Sequence, residues 1–152
     1  MRVFHNVGEI LGAVGQSLGT SDWIQITQER VDTFADATGD HQWIHVDVAR
    51  ARAESPYGGP IAHGYLSLSL LPVLGWQIYA IEGAKMGVNY GSNKVRFPSP
   101  VPVGSRLRLS SVLLEASQLP DGAIQMVVEQ TVEIEGRTKP AVVAETVSRV
   151  VY

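Results

Sequence analysis

Asp40 and His45 stand five residues apart in the run Gly39-Asp40-His41-Gln42-Trp43-Ile44-His45, and a His63-Gly64 pair follows downstream. A carboxylate and an imidazole that share one pocket make a competent acid/base pair, because histidine titrates near neutrality and a nearby carboxylate tunes it. Spacing alone leaves the plainer alternative open, with Asp40 capping a turn and His45 a satisfied loop histidine. Gly64 falls where a Gly/Pro-rich loop gives way to an apolar run. A backbone N–H free at such a junction can stabilise an anion or a developing oxyanion, and the missing side chain lets a carbonyl come close. Glycine at a loop–helix junction is also ordinary, and His63 could simply brace the loop.

Other chemistries have less support. His41 and His45 have the i,i+4 spacing of a helical ligand pair, with His63 and Asp40 as partners, but Gly39 and the polar loop argue against helix there. The glutamate of an HExxH site is also missing, since Gln42 follows His41. The expectation is no metal. There is no GxSxG elbow, no P-loop and no GxGxxG fingerprint. Lys94, Arg96, Arg106 and Arg108 flank the turn at 97–104 as a modest cationic group, which could meet phosphates or lie solvated on strand faces. Trp43 is a candidate wall of an acyl pocket, with core packing as its plainer role.

The elements that must position these residues can be read from periodicity and punctuation. Asn6 caps a short helix over residues 6–14, with Ile10, Leu11 and Val14 on one face, and 23–27 reads as a short strand. Thr27 is a natural N-cap for a helix from Gln28 to Thr38, carrying Val31, Phe34 and Ala35 at helical spacing. Gly39 sits where that helix needs left-handed backbone to end. Residues 40–46 read as irregular, Asp47 as the cap of a helix through Ala53, and 56–60 as a loop. The run from Gly64 to about Ala80 predicts one helix of four or more turns, apolar nearly all round and buried on most sides. Four Val/Leu-rich strands follow at 85–97, 105–117, 124–134 and 141–151, and their short connections favour antiparallel pairing. The expected class is α+β, a curved antiparallel sheet wrapping one long central helix.

Composition bounds the setting. The chain has 152 residues, 45% of them hydrophobic, which suits one domain over 1–152 with no linker-like run dividing it. Twelve basic and fifteen acidic side chains give a net charge of −3, and no basic patch suggests nucleic acid. The absence of cysteine removes disulfides, thiol nucleophiles and Cys-ligated metals together. No apolar run is long enough to predict a membrane span, and no secretory leader is evident, so a cytoplasmic protein is expected.

In combination the motifs look familiar. The run FADATGDHQWIHVDVARA, followed by YGGPIAHGYLSLSLL, resembles the MaoC-like, (R)-specific enoyl-CoA hydratase family, whose signature is Gly-Asp, four residues, His, then an Ile-Ala-His-Gly segment opening a helix. The match is good over residues 20–75, and VRFPSPVPVGSRLRL is similar to the family's strand–turn–strand. The resemblance implies a hot-dog fold and a homodimer whose sheets join. It implies reversible hydration of a trans-2-enoyl-CoA to a (3R)-3-hydroxyacyl-CoA in fatty acid metabolism, with Asp40 and His45 holding the water between them. Gly64, with His63 beside it, would polarise the thioester carbonyl, Trp43 and Tyr65 would shape the acyl pocket, and Lys94 and Arg96 would meet the coenzyme A phosphates. No cofactor is implied beyond the coenzyme A carried by the substrate. Two positions depart from the pattern: Gln42-Trp43 replaces the common Asn-Pro, and Tyr65 replaces Met or Leu. The alternatives are dehydration of (3R)-hydroxyacyl groups on an acyl carrier protein, and a noncatalytic acyl-thioester-binding protein. A hot-dog thioesterase is disfavoured because no Asp or Glu lies between Gly64 and Ala80.

Overall fold

The computed structural model describes residues 1–152. In chain order its elements are β1 (Arg2–Phe4), α1 (Val7–Leu11), β2 (Ser17–Thr20), β3 (Ile24–Gln25), α2 (Gln28–Thr38), α3 (Trp43–Val46), α4 (Val48–Glu54), α5 (Gly64–Ser69), α6 (Leu71–Gly75), β4 (Tyr79–Ile81), β5 (Met86–Arg96), β6 (Arg106–Gln118), β7 (Ile124–Ile134) and β8 (Val142–Val151). The long strands form an antiparallel sheet in the order β2-β6-β7-β8-β5, with β3 also on β6, while β1 and β4 pair in parallel at the side. Alternation along β7 sends Ile124, Met126, Val128, Val132 and Ile134 into one core of 25 buried residues, where they meet Leu66, Leu70, Leu71 and Leu74 from α5 and α6.

The α2 segment forms as its end signals require. Thr27 Oγ1 accepts from the Arg30 amide at 3.2 Å, and Gly39 closes the helix at φ +80°, its N–H donating to Ala35 O at 2.8 Å. That left-handed turn sends the chain back along α2 and puts Asp40 where the site is built.

Four expectations change. The central helix is shorter than 64–80 and broken at Leu70, because Pro72 has no amide to bond back to the preceding turn. The chain leaves helical structure after Gly75 and enters β4. It is also buried on one side only, since Tyr65, Val73 and Trp76 are exposed. Residues 43–46 are a helical turn, not irregular chain, and α1 buries Ile10 but leaves Leu11 and Val14 exposed. Finally, β5 pairs with β8 and not with its sequence neighbour β6. The 97–105 connection crosses the end of the sheet and binds the segment before α5: Ala62 N–H donates to Val101 O at 2.8 Å and Val103 N–H to Pro60 O at 3.0 Å. This crossing fixes the backbone that carries His63 and Gly64.

Candidate active site

Three chain segments converge between the end of α2 and the start of α5. His45, on the single turn of α3, is buried, and its Nδ1 lies 2.6 Å from Ile61 O. A carbonyl only accepts, so Nδ1 carries the hydrogen and Nε2 keeps a free lone pair. Burial lowers the pKa of His45 below the usual histidine value. The Ile61 carbonyl opposes this, His63 adds to it, and the Asp40 carboxylate opposes it in turn. His45 is therefore the neutral imidazole at pH 7. The backbone is tied at the same place by Ile61 N–H donating to Ile44 O at 3.0 Å, and by Gln28 Nε2 donating to His45 O at 2.8 Å.

His63 caps the start of α5 and is 3% exposed. Its ring stacks on His45 with centroids 3.8 Å apart and meets Phe34 at a tilt of 54°, centroids 5.0 Å apart. Nε2 donates to the main-chain carbonyl of Asp40 at 2.9 Å, while Nδ1 is buried without a partner. His63 thus holds the Asp40 backbone against α5, leaving the half-exposed Asp40 side chain free to reach the site. A carboxylate oxygen of Asp40 and one ring nitrogen from each of His45 and His63 lie within 4.8 Å of one another. One water making two ordinary hydrogen bonds of about 2.8 Å spans such a gap. The same trio could supply ligands to a metal, since Nε2 of His45 and Nδ1 of His63 are the nitrogens left free when the opposite ring nitrogens donate to carbonyls.

Gly64 is the first residue of α5, and its amide makes no backbone hydrogen bond. A Cβ added there would sit 3.2 Å from the Phe97 ring, just past the end of β5, so a side chain here obliges the ring or the start of α5 to shift.

The remaining sequence candidates fall elsewhere. His41 is exposed and bonded to Asp36 at 2.9 Å, outside the cluster. Trp43 lies under the Arg50 guanidinium at 4.4 Å, and Tyr65 points outward, 71% exposed, against the edge of Phe97. Neither lines the large cavity of about 910 Å³ beside α5 and α6, whose walls include Leu68, Leu71, Trp76 and Tyr79. The four cations do not form one group, because Arg106 and Arg108 on β6 are separated from β5 by β7 and β8 and pair with Glu135 and Glu133. Lys94 pairs with Glu145 at 2.9 Å, and Arg96 donates to the Val95 carbonyl. Sequence reasoning had Ile61 only as part of the motif and missed Gln28: Ile61 acts through its backbone carbonyl, and the Gln28 side-chain amide reaches the His45 carbonyl 17 residues away. It read Phe34 as core, where the structure has it half-buried against His63. Arg52, which lines a smaller cavity of about 330 Å³ with Gln28 and Tyr57, also went unnoticed.

A model of the MaoC-like domain matches residues 9–137. The chain belongs to the MaoC-like family. It is 55% identical over 151 residues, 99% of each chain, to 3-hydroxyacyl-thioester dehydratase Z of Mycobacterium tuberculosis. It is 44% identical to nodulation protein N of Rhizobium leguminosarum bv. viciae over 94% of this chain and 89% of that one. Among solved structures, an (R)-hydratase from Pseudomonas aeruginosa superposes with a TM-score of 0.70 at 26% identity, over 91% of this chain and 81% of the other. The MaoC-like architecture is the hot-dog fold expected from the motifs, with a shorter central helix.

Proposed function

We propose that this MaoC-like chain is a hydro-lyase that dehydrates (3R)-3-hydroxyacyl thioesters to trans-2-enoyl thioesters and runs the hydration in reverse. The observation that carries this reading is the neutral, oriented His45 facing the Asp40 carboxylate beside the free Gly64 amide. Near-full-length identity to a 3-hydroxyacyl-thioester dehydratase favours the dehydration direction over the CoA hydratase placed first from sequence. In that direction the Gly64 N–H donates to the thioester carbonyl and stabilises enolate-like charge as the C2 proton leaves. Nε2 of His45 takes that proton, with the Ile61 carbonyl holding the ring and Asp40 offsetting its charge. The C3–O bond then breaks, the departing hydroxyl collects a proton from the coupled Asp40–His45 pair, and water leaves with the pair reset. The test is the appearance of conjugated enoyl-thioester absorbance when purified protein meets a 3-hydroxyacyl-CoA or its carrier-protein counterpart. No turnover of either across chain lengths overturns the reading in favour of an acyl-thioester-binding protein.

Arg96 directly precedes Phe97, whose ring packs on Gly64, and Lys94 lies two residues before it on β5. We assign the phosphates of the thioester handle to these two side chains. Arg96→Ala is expected to raise KM for a CoA thioester several-fold with kcat preserved, and an unchanged KM removes the assignment.

The same reading includes a homodimer. All of β5 except Val95 is exposed, and Val88 and Tyr90 on it share a cavity wall with the exposed Trp76 just after α6. An edge strand this long leaves a row of unpaired backbone groups that invites pairing with another strand, and β5 of a second copy would continue the sheet. Sedimentation should give twice 16.5 kDa, and a mass near 16.5 kDa at working concentration rejects the dimer.

A further inference from the structure

The inward row of β7 reads Ile124, Met126, Val128, Gln130, Val132, Ile134, and Gln130 alone breaks it. It is 6% exposed. Its Oε1 accepts from Ser111 Oγ at 2.6 Å, its Nε2 donates to Thr146 Oγ1 at 3.4 Å, and Thr146 Oγ1 donates on to Val128 O at 3.3 Å. Register extends the pattern, with Ser111 opposite Gln130 and Thr146 opposite Ser92. A line of hydroxyl and amide groups therefore crosses β6, β7, β8 and β5 through an otherwise apolar sheet face. The amide of Gln130 has two N–H groups, one spent on a long bond to Thr146 and the other on no acceptor. A buried polar group of this kind costs stability unless it is satisfied, and a methionine would fill the same space without that cost.

The line faces the cavity of about 910 Å³. Gln130, Thr146, Ser92, Ser148 and Asn89 are on its sheet side, and Leu68, Leu71, Pro72, Gly75 and Trp76 are on its helix side. None of the 20 lining residues is charged. Leu68 lies one helical turn beyond Gly64 on the same face, and the lining runs from Leu68 on to Trp76, roughly 12 Å at about 1.5 Å per residue. Gly64 does not itself line the cavity; the wall nearest to it is Leu68, from which an acyl chain held at the Gly64 amide would run along α5 and α6 over the Gln130 line.

We infer that this cavity selects acyl chains bearing a neutral oxygen function, a hydroxyl or a keto group, in the distal part of the chain. The inference rests on the acyl-thioester reading above and specifies its substrate class. A hydroxyl completes the unmet amide of Gln130, a plain hydrocarbon covers it and leaves it unsatisfied, and a carboxylate tail meets no cation. A site built to hydrogen-bond a substrate group discriminates strongly against the analogue that lacks it.

The test measures binding by calorimetry, using saturated dodecanoyl-CoA and its monohydroxy isomers with the hydroxyl moved stepwise along the distal half of the chain. None of these compounds can turn over, so affinity is read apart from catalysis. One position of the hydroxyl should bind about tenfold tighter than the plain chain, because the polar line is fixed in the sheet. Gln130→Met should bring every isomer to the affinity of the plain chain. Thr146→Val, which keeps the shape and removes the hydroxyl, should give a smaller loss in the same direction and serves if Gln130→Met does not fold. Equal affinity for all isomers, a full preference that survives Gln130→Met, or one that Thr146→Val leaves undiminished, overturns the inference. Dehydration assays on the same preparation separate the two claims. Turnover without isomer preference removes the cavity inference alone, and isomer preference without turnover removes the catalytic reading alone.

Discussion

Replacing His45 with glutamine, or Asp40 with asparagine, should lower kcat/KM for dehydration by about two orders of magnitude or more while the protein stays folded. Glutamine can still donate to Ile61 O as Nδ1 of His45 does, but it offers no basic nitrogen to take the C2 proton. Asparagine keeps the shape of Asp40 but not the charge that offsets a protonated His45. Because the two act as a pair, the double variant should lose little more than either single one. The pH profile adds a second reading of the same residue. Burial depresses the His45 pKa below 6.5, so the imidazole stays neutral into mildly acidic solution, and the acidic limb of kcat/KM should lie below pH 6.5. The linkage to stability has the same origin. The unfolded chain takes up a proton on His45 near pH 6.5 where the folded chain does not, so this residue's contribution to stability falls as pH drops through 6.5 toward the folded value. It is regained as pH rises. Denaturant titrations across that window should show a shallower decline for His45→Gln than for the parent protein. Parent-like rates in both single variants would remove these residues from the reaction.

How much of this was legible in the sequence depended on whether the deciding force was local. The bounds of α2 could be read to the residue because Thr27 and Gly39 end a helix by their own hydrogen bonds and backbone preference. The offsets from Gly39-Asp40 to His45 and His63-Gly64 were equally plain, since a motif is itself a sequence statement. The helix after Gly64 was misjudged for a physical reason. Apolar composition reports burial or future burial and not which neighbour supplies it, so the segment read as buried on most sides although this chain leaves Tyr65, Val73 and Trp76 exposed. Pro72 was visible, but the break it causes competes with the packing of Leu71 and Leu74, and only the fold decides that contest. The partner of β5 was beyond reach because the 97–105 crossing is chosen by contacts with residues 60–62, far off in sequence. The role of His63 was hidden likewise. Its bond is to the Asp40 main chain, and its ring stacks on His45 and packs at a tilt against Phe34, so nothing in its neighbours along the chain announces these contacts.

The second large effect is expected at Gly64, where the side chain is absent for two reasons that can be separated. A Cβ at this position would lie 3.2 to 3.3 Å from three atoms of the Phe97 ring, inside ordinary contact, so in Gly64→Ala either the ring or the start of α5 must move. Phe97 is partly exposed, with Tyr65 edge-on to it at 5.9 Å, so the ring has room to yield and the fold should survive with a melting temperature only a few degrees lower. Catalysis is less forgiving. If α5 gives way by even a fraction of an ångström, the Gly64 amide no longer points at the position of the thioester oxygen, and kcat/KM should fall by about tenfold to a hundredfold, mainly in kcat. Phe97→Leu alone removes the obstructing ring edge and should leave activity near that of the parent. Combined with Gly64→Ala, it should restore a large part of the loss, because a steric cause is relieved when its partner shrinks. A double variant as slow as Gly64→Ala would instead mean that the added methyl blocks the thioester carbonyl directly. Parent-like turnover in Gly64→Ala would show that this amide does not carry the developing negative charge.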